Sequence, residues 1–182
     1  MITLEKPRWP GDWLRLYRLY LQSFPPSERK PFSIIVQMYR QGKGHVWCIR
    51  RAGKFTGMAT TIQGKQETLL DYFAVKKDAR GQGVGRLAMK RLLELYGDRG
   101  FFLEIESTRE VCPDLMAREK RKHFYMACGL TPLDVEAEVF GVRMELLGVN
   151  CTMDFDSFKR FYREEYNLWA AEHILPISED TQ

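Results

Sequence analysis

Residues 80 to 85 read Arg80-Gly81-Gln82-Gly83-Val84-Gly85, three glycines alternating with other residues at the point where a strongly apolar run gives way to an amphipathic one. Glycine is costly inside a helix and useful just before one. There it leaves main-chain N–H groups bare, and the positive end of the helix dipole lies behind them, an arrangement suited to holding a phosphate or diphosphate. A plain turn that happens to contain glycine would read the same over so short a stretch. A Walker A loop requires GxxxxGK[ST], which the chain lacks, and a dinucleotide fingerprint counted from Gly81 fails at Arg86, or from Gly83 at Leu87 and Ala88.

The elements around the loop decide more. Asp12 can cap a helix whose apolar positions Trp13, Tyr17, Tyr20 and Phe24 make one aromatic face, stopped by Pro25-Pro26. A short helix is expected over residues 33–41 with Gly42 at its end. Residues 45–51, 54–62 and 68–75 read as strands joined by turns too short for a crossover, hence an antiparallel meander rather than a βαβ unit. A helix over 84–96, a strand over 101–106, a helix over 114–128 closed by Gly129 and one or two strands over 134–147 follow. From Asp154 the spacing of Phe155, Phe158, Tyr162, Tyr166 and Trp169 makes one last amphipathic helix, which either folds back on the domain or forms a dimer contact.

The 182 residues suffice for one domain with a self-sufficient core, and 45% hydrophobic with 29% charged residues argues against disorder. The net charge of +4 is spread along the chain, which weakens a nucleic-acid reading without removing it. No apolar run approaches the roughly 20 residues that cross a bilayer, and the first dozen residues lack a signal peptide's apolar core, so a cytoplasmic protein is expected. Cys48, Cys112, Cys128 and Cys151 show no metal-ligand spacing and His45, His123 and His173 are scattered, so free, mostly buried thiols and no metal are expected.

With the loop matching [RQ]-x-x-G-x-[GA], "LLDYFAV" before it and "HFYMACGL" some forty residues after it, the chain resembles the GCN5-related N-acetyltransferase (GNAT) family from about Trp13 to Leu147. The resemblance implies a mixed α/β fold with a central, mostly antiparallel twisted sheet flanked by helices. That sheet splays between the family's fourth and fifth strands, here residues 68–75 and 101–106. An acetyl-CoA-binding N-acetyltransferase domain is expected over residues 1–149, with a C-terminal helical extension over 150–182. The implied cosubstrate is acetyl-CoA, its diphosphate on the main chain of Arg80, Gly81, Gln82, Gly83, Val84, Gly85 and Arg86, and its pantetheine arm hydrogen-bonded to Phe73, Ala74 and Val75 as an added strand would be.

Acetyl transfer needs a neutral amine, yet at pH 7 only about one lysine-like amine in 2,500 is deprotonated, so a general base is expected, acting directly or through water. Asp71, Glu104 and Glu106 are the carboxylates on the two relevant strands, the last two sharing a face, with Phe101, Leu103 and Ile105 on the other. Asp71 and Glu104 are the catalytic candidates. Glu106, and Glu28 in the loop after the first helix, are candidates for binding the acceptor. Tyr125 matches the family's usual acid for the departing thiolate. The chain departs from the family pattern in lacking an asparagine upstream of that tyrosine and in carrying Cys128 before Gly129. The basic run Arg118, Lys120, Arg121 and Lys122 reads as a solvated helix face, or as a contact for the 3′-phosphate of CoA.

An amine acceptor, small or protein-borne, is thus the expected partner, with no nucleic acid, no membrane and a possible homodimer. An acyl-CoA-binding module without turnover is the alternative.

Overall fold

The computed structural model describes residues 1–177. They form two units, one of Met1–Gln63 with Thr68–Tyr96, the other of Gly64–Glu67 with the described residues from Gly97 on.

In the first unit, β1 (Ile2–Glu5), α1 (Pro10–Ser23), α2 (Phe32–Arg40), β2 (Gly44–Arg51), β3 (Lys54–Gln63), β4 (Thr68–Val75) and α3 (Val84–Tyr96) follow in order. The strands run β1-β2-β3-β4, each antiparallel to the next. The two-residue turn between β2 and β3 and the four residues between β3 and β4 are too short for a crossover, so these three strands pair antiparallel. Helix α1 packs on β3 and β4, α2 on β2, and α3 on β1 and β4.

Helix α1 begins earlier than Asp12, because Pro10 supplies a preorganised first turn. Asp12 is therefore no cap. It is buried inside the first turn, where its carboxylate accepts from Arg8 N–H (3.2 Å) and meets Arg50 Nη2 (2.6 Å). Burial alone would raise its pKa, but the Arg8 amide and the Arg50 guanidinium hold it below the ordinary range. That anchor rotates the helix: its buried side chains are Leu16, Leu19 and Tyr20, while Tyr17 of the expected aromatic face is 42% exposed. They join Ile35, Val46, Cys48, Met58, Tyr72 and Ala74 in one core.

The second unit holds β5 (Phe101–Glu106), α4 (Leu115–Met126), β6 (Thr131–Val139), β7 (Val142–Val149), α5 (Phe155–Glu165), α6 (Leu168–Glu172) and β8 (Ile174–Pro176). Its strands run β5-β7-β6-β8, again antiparallel. The C-terminal aromatic stripe is two helices rather than one. The break falls at Tyr166-Asn167, where the Asn167 side chain accepts from Ala170 N–H and caps a new helix. Phe158, Phe161 and Tyr162 are buried within this unit, and Phe102 of β5 meets Phe158 and Phe161 edge-on at 6.3 and 5.1 Å. All four cysteines are free, but only Cys48 is fully buried.

Candidate functional site

The glycine loop connects β4 to α3 within the first unit. A single 3₁₀ turn, Lys77–Ala79, leads into it, and the buried side chains of Ala79 and Val84 pin its two ends. Gly81 and Gly83 adopt φ of +72° and +75°, the left-handed region where any other side chain is strained. A Cβ built on either would meet no atom within 4 Å, so glycine is required there by conformation, and the space over the loop is open.

The side chains between the glycines brace the loop. Arg80 Nε donates to Val75 O (3.0 Å), Gln82 Nε2 to Asp78 O (2.9 Å), and Arg51 Nη1 to Gln82 Oε1 (2.6 Å). The α3 ladder starts with Leu87 N–H to Gly83 O at 3.1 Å, so the N–H groups of Val84 and Gly85 precede it at the positive end of the helix dipole. This donor set fits a diphosphate. On β4, Ala74 is buried, while Phe73 and Val75 are half-buried and lie opposite Ala59 and Gly57 of β3.

The loop between α1 and α2, which carries Glu28, is bolted to β4. Tyr72 Oη donates to Glu28 O (2.9 Å) and accepts from Lys30 N–H (3.2 Å), while Tyr20 Oη donates to Lys30 O (2.8 Å). Lys30 Nζ stands 2.7 Å from Asp71 Oδ1 and 5.3 Å from the centre of the Tyr72 ring. Asp71 is thus the carboxylate of a largely buried ion pair, with 8% of its side chain exposed. Burial pushes the Tyr20 phenol up to about 12, and the Tyr72 phenol higher still.

In the second unit Glu104 accepts a 2.7 Å hydrogen bond from Tyr162 Oη of α5. Glu106, at the end of β5, is taken by Arg118 (3.1 Å) and Arg121 (2.8 Å) of α4, and Lys122 pairs with the buried Glu145 of β7, which also accepts from Thr108. Three of the four basic residues expected on a solvated face are therefore partners of strand carboxylates. Burial opposes the charge on Glu145, yet Lys122 and Thr108 hold its pKa below the ordinary range. Tyr125 lies buried on the same helix, its ring 5.2 Å from that of Phe124, and burial pushes its phenol up to about 12 despite the nearby Arg121.

The sequence-derived residues thus fall into two sets. The first unit brings together Phe73, Ala74, Val75 and Arg80 to Arg86, and separately Glu28 and Asp71; the second carries Glu104, Glu106 and Tyr125. No local signal in the sequence marks Lys30, Tyr72 or Tyr162 as a site residue. Tyr162 carried only the aromatic stripe of α5 as a signal, and its partner is 58 positions away. Among the described residues no group of three His, Cys, Asp or Glu side chains is placed to hold a metal, and no helix is long and apolar enough to cross a membrane.

Comparison with known proteins bears on both fold and family. Residues 13–129 match the model of the acetyltransferase (GNAT) family. No curated protein matches the sequence significantly. Among solved structures, a protein of Bacteroides thetaiotaomicron assigned to the GNAT family superposes with a TM-score of 0.74 at 18% identity, covering 94% of this chain and 98% of its own. A GNAT-family acetyltransferase of Elizabethkingia anophelis, solved with acetyl-CoA bound, gives 0.59 at 15% identity over 83% of this chain and 97% of its own. The ribosomal-protein-S18-alanine N-acetyltransferase of Escherichia coli gives 0.61 at 15% identity over 84% and 96%. With its glycine loop at the start of α3, its mixed α/β fold and the family model spanning 13–129, this chain belongs to the GNAT acetyltransferase family.

Proposed function

We propose that the protein transfers the acetyl group of acetyl-CoA to a primary amine by direct attack in a ternary complex, releasing the CoA thiol. The observation that carries this reading is the loop at the start of α3: two left-handed glycines, open space above them, and main-chain N–H groups ahead of the helical ladder. In this reading those amides hold the diphosphate, and the main chain of Phe73, Ala74 and Val75 holds the pantetheine arm.

Glu104 is the general base in this reading, taking the proton of the attacking amine directly or through water. Asp71 is less suited, because its partner is the Lys30 cation in a largely buried ion pair, which opposes its taking up a proton. The loop carrying Glu28 lines the acceptor in this reading, and Glu106 is less suited to that task because Arg118 and Arg121 already neutralise it. Tyr125 donates a hydrogen bond to the leaving sulfur. Full proton transfer from a phenol at about 12 to a thiolate near 8.5 runs uphill by about 3.5 pK units, roughly 5 kcal/mol, so Tyr125 assists departure without carrying it alone.

Thiol release from acetyl-CoA, followed with a panel of a polyamine, an aminoglycoside and a lysine-bearing peptide, tests the reading. Amine-dependent release is expected. Binding of CoA without release from any amine would favour an acyl-CoA-binding module, to which the ion pairing of Asp71 lends some support.

A further inference from the structure

Tyr162 lies in α5, beyond the residues that match the family model, and the acetyltransferase reading gives it no part. Its environment fixes it closely. The side chain is buried, its ring stacks on Tyr166 at 5.1 Å and 20° and stands edge-on to Phe158 at 5.3 Å and 80°. Its backbone carbonyl takes the N–H groups of Tyr166 and Asn167, which end the helix. Phe158 and Phe161 in turn lock α5 over the face of β5 that holds Phe102 and, two residues on, Glu104. A phenol held from so many sides donates along one direction, and that direction ends on Glu104 Oε1.

We infer that Tyr162 is a positioning residue for acetyl transfer: its hydroxyl holds the Glu104 carboxylate in one orientation and in its ionised form. The inference rests on the proposed role of Glu104 as base. A base works only while unprotonated, and a carboxylate half-buried on a strand tends to take up a proton. An O–H donor opposes this, because the bond is stronger to the charged form than to the neutral acid. Across the ladder Glu104 faces the apolar Leu146, and along its own strand face sits Glu106, neutralised by Arg118 and Arg121. The C-terminal extension thereby contributes to the chemistry instead of merely covering apolar surface.

The test compares the full-length protein with Tyr162→Phe, which keeps the ring and removes only the donor. Carboxyl carbon NMR of glutamate-labelled protein, with Glu104→Gln assigning the resonance, should show the Glu104 pKa rising by about one unit. The acid limb of kcat/KM should move upward by the same amount, with the affinity for CoA unchanged. In the Glu104→Gln background, Tyr162→Phe should change kcat no further. An unmoved Glu104 pKa would overturn the inference. So would a moved pKa with an unmoved acid limb, or an additional loss in the double variant. A wild-type protein that binds CoA but acetylates no amine would overturn the reading of function itself, and with it the inference. Wild-type activity in Glu104→Gln would overturn the choice of base while leaving amine acetylation standing.

Discussion

Lys30 Nζ lies 2.7 Å from Asp71 Oδ1, joining the loop between α1 and α2 to the middle of β4. The pair fixes a segment that carries three further hydrogen bonds, from Tyr20, Tyr72 and the Lys30 amide. Asp71 therefore holds that loop in place. Asp71→Asn should lower stability by about 2 kcal/mol, less than for a fully buried pair because Lys30 keeps 22% of its side chain exposed. Urea titration measures this. The kcat should stay within about tenfold of wild type; a loss of about a hundredfold or more at unchanged stability would return Asp71 to the role of base.

Tyr72→Phe removes one donor to Glu28 O and one acceptor for the Lys30 amide while leaving the ring in the core. The loop should loosen, and the effect should fall on the KM of the amine by about three- to tenfold, with kcat little changed. Steady-state kinetics with any accepted amine separates the two. A drop in kcat alone would mean that the loop does not line the acceptor.

For Tyr125→Phe the burial of the phenol limits what is lost. A group at about 12 is a poor acid for a thiolate, so kcat should fall by about ten- to a hundredfold, through loss of a hydrogen bond to the leaving sulfur. Because the phenol stays protonated until pH nears 12, the wild-type rate should show no alkaline limb from this residue below about pH 10. A wild-type limb near pH 8 that vanishes in the variant would contradict this placement.

Alkaline unfolding has a definite sign. Tyr20 and Tyr125 are raised from 10.0 to about 12, and Cys48 from 9.0 to about 12, all chiefly by burial. Each binds its proton more tightly folded than unfolded. Their contribution is fully present below pH 9 and is lost as the pH rises from 9 towards 12, so urea midpoints should be flat up to about pH 9 and fall steeply above it. Cys48→Ala should leave a shallower fall between pH 9 and 12.

Local signals in the sequence were sufficient where one residue's conformation decided the outcome. Thr68–Val75, Val84–Tyr96 and Phe101–Glu106 have the bounds their composition implies; Gly83 and Gly97 flank the helix and Gly100 precedes the last strand. The four-residue β1 and three-residue β8 are too short for periodicity and exist through their neighbours, β2 and β6. Asp12 looked like a cap and is a buried anchor for Arg50, a contact 38 positions away. The basic run of α4 looked solvated because its partners Glu106 and Glu145 come from strands elsewhere in the chain. Tyr162 and Glu104 were each visible, but only folding pairs them.

In the proposed function, main-chain amides at the start of α3 hold the diphosphate of the acyl carrier. Calorimetry comparing CoA with pantetheine, which lacks the diphosphate, on the wild-type protein and on Gly83→Ala tests it. At φ +75° an alanine costs about 1–2 kcal/mol of backbone strain, and its Cβ stands in the open space of the loop. CoA should bind wild type at least about a hundredfold more tightly than pantetheine, and Gly83→Ala should erase at least about tenfold of that preference while the protein stays folded. Equal affinity for the two ligands, or no heat with CoA at all, would contradict it.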